Sequence, residues 1–225
     1  MKYIILILIA GLFFSSCTSN RRGEKVTSSE AQAVVVKNAT STKKMSELSK
    51  AYFASGCFWC VEAIFESVEG VEEAVSGYAG GTKENPTYQE VGGGLTDHTE
   101  AVEVYYDPDV VSYASLLEVY YGSHNPTTVN GQRPDFGKQY RSMILYTNEM
   151  EKEAAQNFKK ELEVGGTYSE PIATEIEPLT TFWIAEEYHQ DYEKRNPGNS
   201  YIQNVSVPRL NRFKAKFPKL LKKGH

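Results

Sequence analysis

Cysteine is scarce: 225 residues hold three, Cys17, Cys57 and Cys60. That number excludes a disulfide scaffold of the kind that holds small core-poor folds together. Long apolar runs are missing as well. The stretch from Tyr3 to Phe14 falls short of the roughly 20 residues a membrane-crossing helix needs, so anchoring by a spanning helix is the weaker reading. Positive charge is not in excess, with 24 Lys and Arg against 29 Asp and Glu. A net charge of −5 gives no general attraction to nucleic-acid phosphates. There is no internal repeat or Pro-rich block, which excludes a solenoid. The four histidines, His98, His124, His189 and His225, show no paired ligand spacing, so a zinc site begun by Cys57 and Cys60 would lack its other half. What is present, 40% hydrophobic, 24% charged and 12% aromatic residues, is the composition of one globular domain with a leader.

Residues 1–16 combine Met1-Lys2, an apolar run and Ser15-Ser16 ahead of Cys17, the pattern of a secretory signal peptide. Small residues just before a cysteine resemble a bacterial lipoprotein cleavage site. The expectation is a lipidated Cys17 and an extracytoplasmic, membrane-anchored protein on the periplasmic or cell-surface side, held by its acyl chains. Residues 17–49, rich in Ser, Thr, Lys, Asn and Glu, read as a flexible tether. Residues 50–208 read as one domain, and 209–225 as a basic tail with seven Lys or Arg from Arg209 onward and no acid. Leu210, Phe213, Phe217 and Leu220 lie near helical spacing there, with Pro218 interrupting. The tail either packs back on the domain, the favoured alternative, or rests on anionic lipid.

Within the domain, Tyr52-Phe53-Ala54 reads as a short buried strand. Phe58, Val61, Ile64, Phe65 and Val68 then recur at helical spacing, placing Cys57 at a helix N-terminus. Gly70 stops that helix, and strands follow at 71–78 and 100–106. A helix from Ser112 to about Gly122, a long loop at 125–138, a strand at 140–146, a helix capped by Asn148 with Glu151 three residues on, and a strand at 172–176 complete the reading. Strands alternating with helices, antiparallel neighbours among them, favour a single two-layer α+β domain. Nothing requires more than a monomer.

A cysteine at a helix N-terminus gains thiolate character from free N–H groups and the helix dipole. Cys60, one turn on, can reach Cys57 and close a disulfide. Cys-x-x-Cys alone leaves buried structural thiols, a plain dithiol oxidoreductase and half a metal site open as alternatives. Phe58 and Trp59, bulky and apolar between the two thiols, argue against a dithiol that meets large protein disulfides.

Gly56-Cys57-Phe58-Trp59 resembles the signature of the A-type peptide methionine sulfoxide reductases. Four further stretches resemble that family in the same order: Gly77 to Gly81 with Asn85 to Tyr88, His98 to Glu100 before Tyr106-Asp107-Pro108, Asp135 to Ser142, and Ala185 to Tyr192. The resemblance covers about Tyr52 to Tyr192 and implies a central mixed sheet flanked by helices with a ferredoxin-like core. It implies that Phe58 and Trp59 cradle the sulfoxide methyl group and that Glu100 is the acid. Tyr88 and Tyr140 would hydrogen-bond the sulfoxide oxygen, with Asp135 shaping the pocket. A proton donor is what the chemistry needs, because thiolate attack on the sulfoxide leaves growing negative charge on oxygen; burial beside aromatic surface would keep Glu100 protonated.

The expected cycle reduces the S-epimer of methionine sulfoxide, free or in oxidised proteins. It passes through a Cys57 sulfenic acid and a Cys57–Cys60 disulfide that an external thioredoxin-type dithiol reduces, with no bound cofactor or metal. His98 and His189 read as supporting partners. Many family members carry glycine in place of Cys60 and resolving cysteines in the C-terminal tail. Here Val207 to His225 has none, and Gly92 stands where some relatives have cysteine, leaving Cys60 as the intramolecular resolver apart from the tethered Cys17. The rival readings are a membrane-tethered thiol-disulfide oxidoreductase and a non-catalytic surface lipoprotein.

Overall fold

A computed structural model describes residues 44–224. The leader, Cys17 and nearly all of the tether lie outside the described residues.

The chain runs through β1 (Ser49–Ser55), α1 (Phe58–Glu66), β2 (Val71–Ala79), α2 (Tyr88–Gly92), β3 (Thr99–Tyr106), α3 (Tyr113–Gly122), the short β4 (Gly131–Gln132) and β5 (Asp135–Phe136), β6 (Ser142–Tyr146), α4 (Glu149–Val164), β7 (Glu175–Pro178), β8 (Trp183–Ile184), α5 (Tyr192–Arg195) and α6 (Val207–Lys216). Six strands form one sheet in the order β7-β6-β1-β3-β2-β8. Only β6 and β7 pair in parallel; the other pairs are antiparallel. The subset β1-α1-β2-β3-α3-β6, with spatial order β6-β1-β3-β2, is the split βαβ arrangement of a ferredoxin-like core. The mixed two-layer α+β expectation is met.

Period-two alternation explains why β1 is buried on both faces. Ala51 and Phe53 point to the helical side, joining Ile64 and Phe65 of α1, Val102 and Val104 of β3, Leu116, Leu117 and Tyr120 of α3, and Phe213 of α6. Tyr52 and Ala54 point to the other side, where Ala79, Ala101, Met143 and Leu145 form a thinner layer covered by Leu179 and Phe182. Gly77 makes that cover fit: a Cβ there would stand 2.3 Å from the Phe182 ring and 2.5 Å from the Trp183 carbonyl.

Three expected boundaries move. The strand placed at 140–146 begins at Ser142, after the short helical turn Lys138–Tyr140. The strand placed at 172–176 begins at Glu175, after Ala173 has spent its N–H on the Pro126 carbonyl. The basic tail is not separate from the domain: α6 starts at Val207 inside the expected boundary, Phe213 is 1% exposed, and Leu221 bridges to Val68. Apolar residues at helical spacing outweigh the charges here, and Pro218 ends the helix as its missing N–H requires. At the capping site, Asn148 accepts the Glu151 N–H as expected, but Glu151 reaches back to Thr147 rather than to Asn148.

Beside α1, the carboxylates of Glu62, Glu66 and Asp191 gather within 4.8 Å. Lys194 pairs with Glu66 at 2.7 Å and with Asp191 at 2.8 Å. Burial pushes Glu62 up to about 8, where the Ser76 hydroxyl donates to it. A lysine and a protonated acid already balance this cluster, which fastens α5 to α1.

Candidate active site

The site grows from the turn between β1 and α1. Gly56 takes a φ of +89°, a left-handed conformation that glycine adopts without strain. A Cβ at that position would lie 2.8 Å from Gln132 Cβ. The reversal leaves Cys57 as the N-cap of α1, its carbonyl accepting the Cys60 and Val61 N–H groups. Both thiols are free and buried, with Cys57 7% and Cys60 1% exposed.

Glu100 comes from β3, the strand paired directly with β1, and accepts the Phe58 N–H at 2.9 Å. It is 2% exposed. Burial pushes its carboxyl up to about 8, against the lowering effect of that bond, with Asp135 and Cys60 adding to the rise. Glu100 therefore holds a proton at neutral pH beside the first turn of α1.

The thiols depart from the expectation that Cys57 is the resting thiolate. Burial lifts the Cys57 thiol well above its ordinary value, and the hydrogen bond to Cys60 and the charge on that sulfur add to the rise. The hydrogen bond from Cys57 lowers Cys60 to about 7 against its own burial, aided by the Arg209 guanidinium, Ser206 and Tyr201. In the resting pair the proton stays on Cys57 and negative charge favours Cys60. Helix position alone does not decide this: the hydrogen bond between the two thiols acts first, and the Arg209 guanidinium adds to the lowering of Cys60.

Phe58 is buried, stacked toward Tyr88 with ring centroids 6.4 Å apart and tilted against His189 at 5.0 Å. Trp59 is half-buried and stacks on Tyr192 at 3.7 Å. Its indole N–H donates to His189 Nδ1 at 3.2 Å, so that ring orients Trp59. His98 bonds the Lys83 carbonyl at 2.7 Å. Both histidines thus act as supports. Tyr88 is set by Glu186, which accepts the Tyr88 N–H at 2.9 Å and the Tyr78 hydroxyl at 2.7 Å. Burial pushes Tyr88 up to about 12, with Glu100 and Cys57 next; burial and then Glu100 and Tyr88 raise Tyr140 further. The two phenols share the electrostatic surroundings of Glu100 and Cys57. Asp135, half-buried, accepts the Tyr201 hydroxyl at 2.5 Å. Every residue expected at the site from Cys57 to Tyr140 is gathered here, while Cys17 lies outside the described residues.

Three contributors were not foreseen. Tyr201 stands with its hydroxyl 3.9 Å from Cys60 Sγ, joining that sulfur to Asp135. Arg209, buried to 9% exposure, donates to the Ser123 carbonyl at 3.0 Å and Ser55 Oγ at 3.1 Å. Ser206 completes the set as a hydrogen-bond partner of Cys60. All three come from the segment around the wide helical turn Ile202–Ser206 and α6. The signal available was Ile202, Ser206, Arg209 and Phe213 recurring on one helical face.

The model of one protein family, peptide methionine sulfoxide reductase, matches residues 49–221. A peptide methionine sulfoxide reductase MsrA of Pasteurella multocida is 48% identical over 173 residues, covering 77% of this chain and 98% of its own. MsrA 1 of Rhodopirellula baltica is 48% identical over 167 residues, covering 74% and 86%. Among solved structures, reduced Mxr1 of Saccharomyces cerevisiae superposes with a TM-score of 0.65 at 33% identity, covering 70% of this chain and 91% of that one. On these matches the chain belongs to the peptide methionine sulfoxide reductase family, oxidoreductases that return methionine sulfoxide to methionine.

Proposed function

We propose that the chain reduces the S-epimer of methionine sulfoxide, in oxidised proteins or free, with Cys57 as nucleophile, Glu100 as acid and Cys60 as resolving thiol. The observation that carries it is a buried, protonated Glu100 bonded to the Phe58 N–H, next to two free thiols on one helical turn. Cys57 attacks the sulfoxide sulfur and passes its proton to Cys60, while Glu100 gives its proton to the departing oxygen. Methionine leaves, the hydroxyl stays on Cys57 as sulfenic acid, and Glu100 is left as carboxylate. Cys60 then bonds to Cys57, and its proton leaves with the hydroxyl as water. Methionine sulfoxide gains two electrons and the pair of thiols loses them. Trp59 offers the apolar wall for the methyl group over the buried Phe58, and Tyr88 and Tyr140 offer phenols to the oxygen. Asp135 holds Tyr201 beside Cys60.

An external dithiol of the thioredoxin type closes the cycle. The residues present need no metal or organic cofactor for these steps. We further propose that the protein works outside the cytoplasm on a lipidated Cys17, on the strength of the leader's residue order; mass spectrometry of the natural N-terminus checks this, and an unmodified Cys17 would refute it.

A stereodefined sulfoxide assay tests the reading. Cys57→Ser is expected to abolish methionine formation. Cys60→Ser is expected to release one equivalent of methionine, more slowly because the thiolate that takes the Cys57 proton is gone, and then to stop when a thioredoxin-type dithiol is the reductant. Sustained thioredoxin-driven turnover by Cys60→Ser, or equal use of both epimers by the wild type, would overturn it.

A further inference from the structure

A cavity of about 500 Å³ opens on the side of the site where Cys60 lies, and Cys60 is part of its lining while Cys57 is not. Its volume is that of a small-molecule site. Arg133, Arg212 and Lys216 stand exposed around it, and Arg209 is buried in its wall. Among the described residues none of the three exposed cations is engaged by a carboxylate: Arg133 lies over the Phe136 ring, Lys216 lies over the Phe217 ring, and no ion pair holds Arg212. The one acid in the lining, Asp135, is bonded to Tyr201. His124 also lines the cavity; its Nδ1 donates to the Tyr120 carbonyl at 2.7 Å, and its buried Nε2 has no partner. With the proton on Nδ1, Nε2 is an acceptor. The space thus offers cations at its rim and a sulfur in its lining.

We infer that this cavity binds a small thiol bearing carboxylate groups, of the carboxylated peptide-thiol class, and delivers it to Cys60 of the oxidised pair. The inference rests on the reading of Cys60 as resolving thiol. The thiolate bonds to the Cys60 sulfur as the Cys57–Cys60 bond breaks, and the electron pair of that bond leaves on Cys57, which takes up the proton the small thiol lost. A second molecule of the same thiol attacks the mixed disulfide, frees Cys60 and leaves as the small-molecule disulfide. Two small thiols are oxidised and two protein thiols restored. Which sulfur of a disulfide is attacked depends on the approach to it as well as on leaving-group acidity; the cavity's lining includes Cys60 and not Cys57, and Cys57 leaves beside the Glu100 carboxyl.

The test uses the full chain, its disulfide formed once with methionine sulfoxide and, separately, with diamide. Stopped-flow mixing follows its reduction by 3-mercaptopropionate, 2-mercaptoethanol, cysteamine and a carboxylated peptide thiol, with each rate corrected for that thiol's thiolate fraction. The anionic thiols are expected to react about tenfold faster than the neutral one, with cysteamine slowest, and the spread should narrow as salt is added. Arg212→Glu combined with Lys216→Glu should reverse the order of anionic and cationic thiols; Arg212→Gln with Lys216→Gln should flatten it if the first pair fails to fold. Acid quenching and peptide mapping should find the mixed disulfide on Cys60. Equal corrected rates, an order unchanged in the charge variants, or an adduct on Cys57 would overturn the inference. Absence of the disulfide after methionine sulfoxide would refute the resolving role instead, and the diamide arm would still decide the charge preference.

Discussion

At the scale of single residues the site works through protons held on the less obvious partner. Cys60 ionises near 7 and Glu100 near 8, and the reaction needs the first deprotonated and the second protonated. kcat/KM for a sulfoxide peptide is therefore expected to rise through about 7 and fall through about 8, as the apparent values of an interacting set. Glu100→Gln should lose the alkaline limb and reduce kcat/KM by roughly 10²–10⁴; a pH-rate profile that keeps that limb in the variant would remove Glu100 from the acid role. Cys57, Glu100 and the aromatic pair were legible in the sequence because helix position and motif order point to them. Tyr201 and Arg209 were not: each acts through a fold contact, one reaching Cys60 and Asp135 from a helical turn, the other crossing to Ser55 and Ser123. One phenol among 15 tyrosines carries no local mark of that reach.

At the scale of elements, strands and long helices were legible where periodicity runs for two turns or more. The helix after Ser112 and the helix after Asn148 begin at their capping residues, since a side chain that bonds a free N–H marks its own position. Short pieces were not. β8 is set by the space above Gly77, which no window of local sequence contains; α2 joins a local capping box of Thr87 and Glu90 to a distant partner, the Glu186 carboxylate on its first N–H. α6 shows what tertiary packing adds to weak propensity. Its Phe213 contacts the main core, so Phe213→Ala should cost roughly 3–5 kcal/mol and lower Tm by several degrees in a thermal melt. Loss of stability below about 1 kcal/mol would mean that the segment is not part of the cooperative unit.

At the scale of the whole molecule, burying two carboxyls that stay protonated to about 8, Glu62 and Glu100, ties stability to pH. An unfolded glutamate ionises near 4.3, so the unfolded chain holds fewer protons than the folded one from there up to about 8. Each group then lowers stability as pH rises, by up to about 1.4 kcal/mol per unit, and the loss is complete above the folded value. Glu62→Gln should accordingly melt higher than wild type at pH 8 by more than it does at pH 5; a difference independent of pH would show that Glu62 ionises freely in the fold. A last consequence concerns the order in which the chain is made. The turn that ends the nucleophile's helix is closed by backbone bonds from Glu69 to Leu220 and from Lys222 to Ser67, and Arg209 arrives with that late stretch. A nascent chain with its first strands already paired still lacks the residues that set the charge of its thiols, so translation must run nearly to His225 before the sulfurs acquire their working chemistry, and a stalled or clipped product would carry the cysteines without the enzyme.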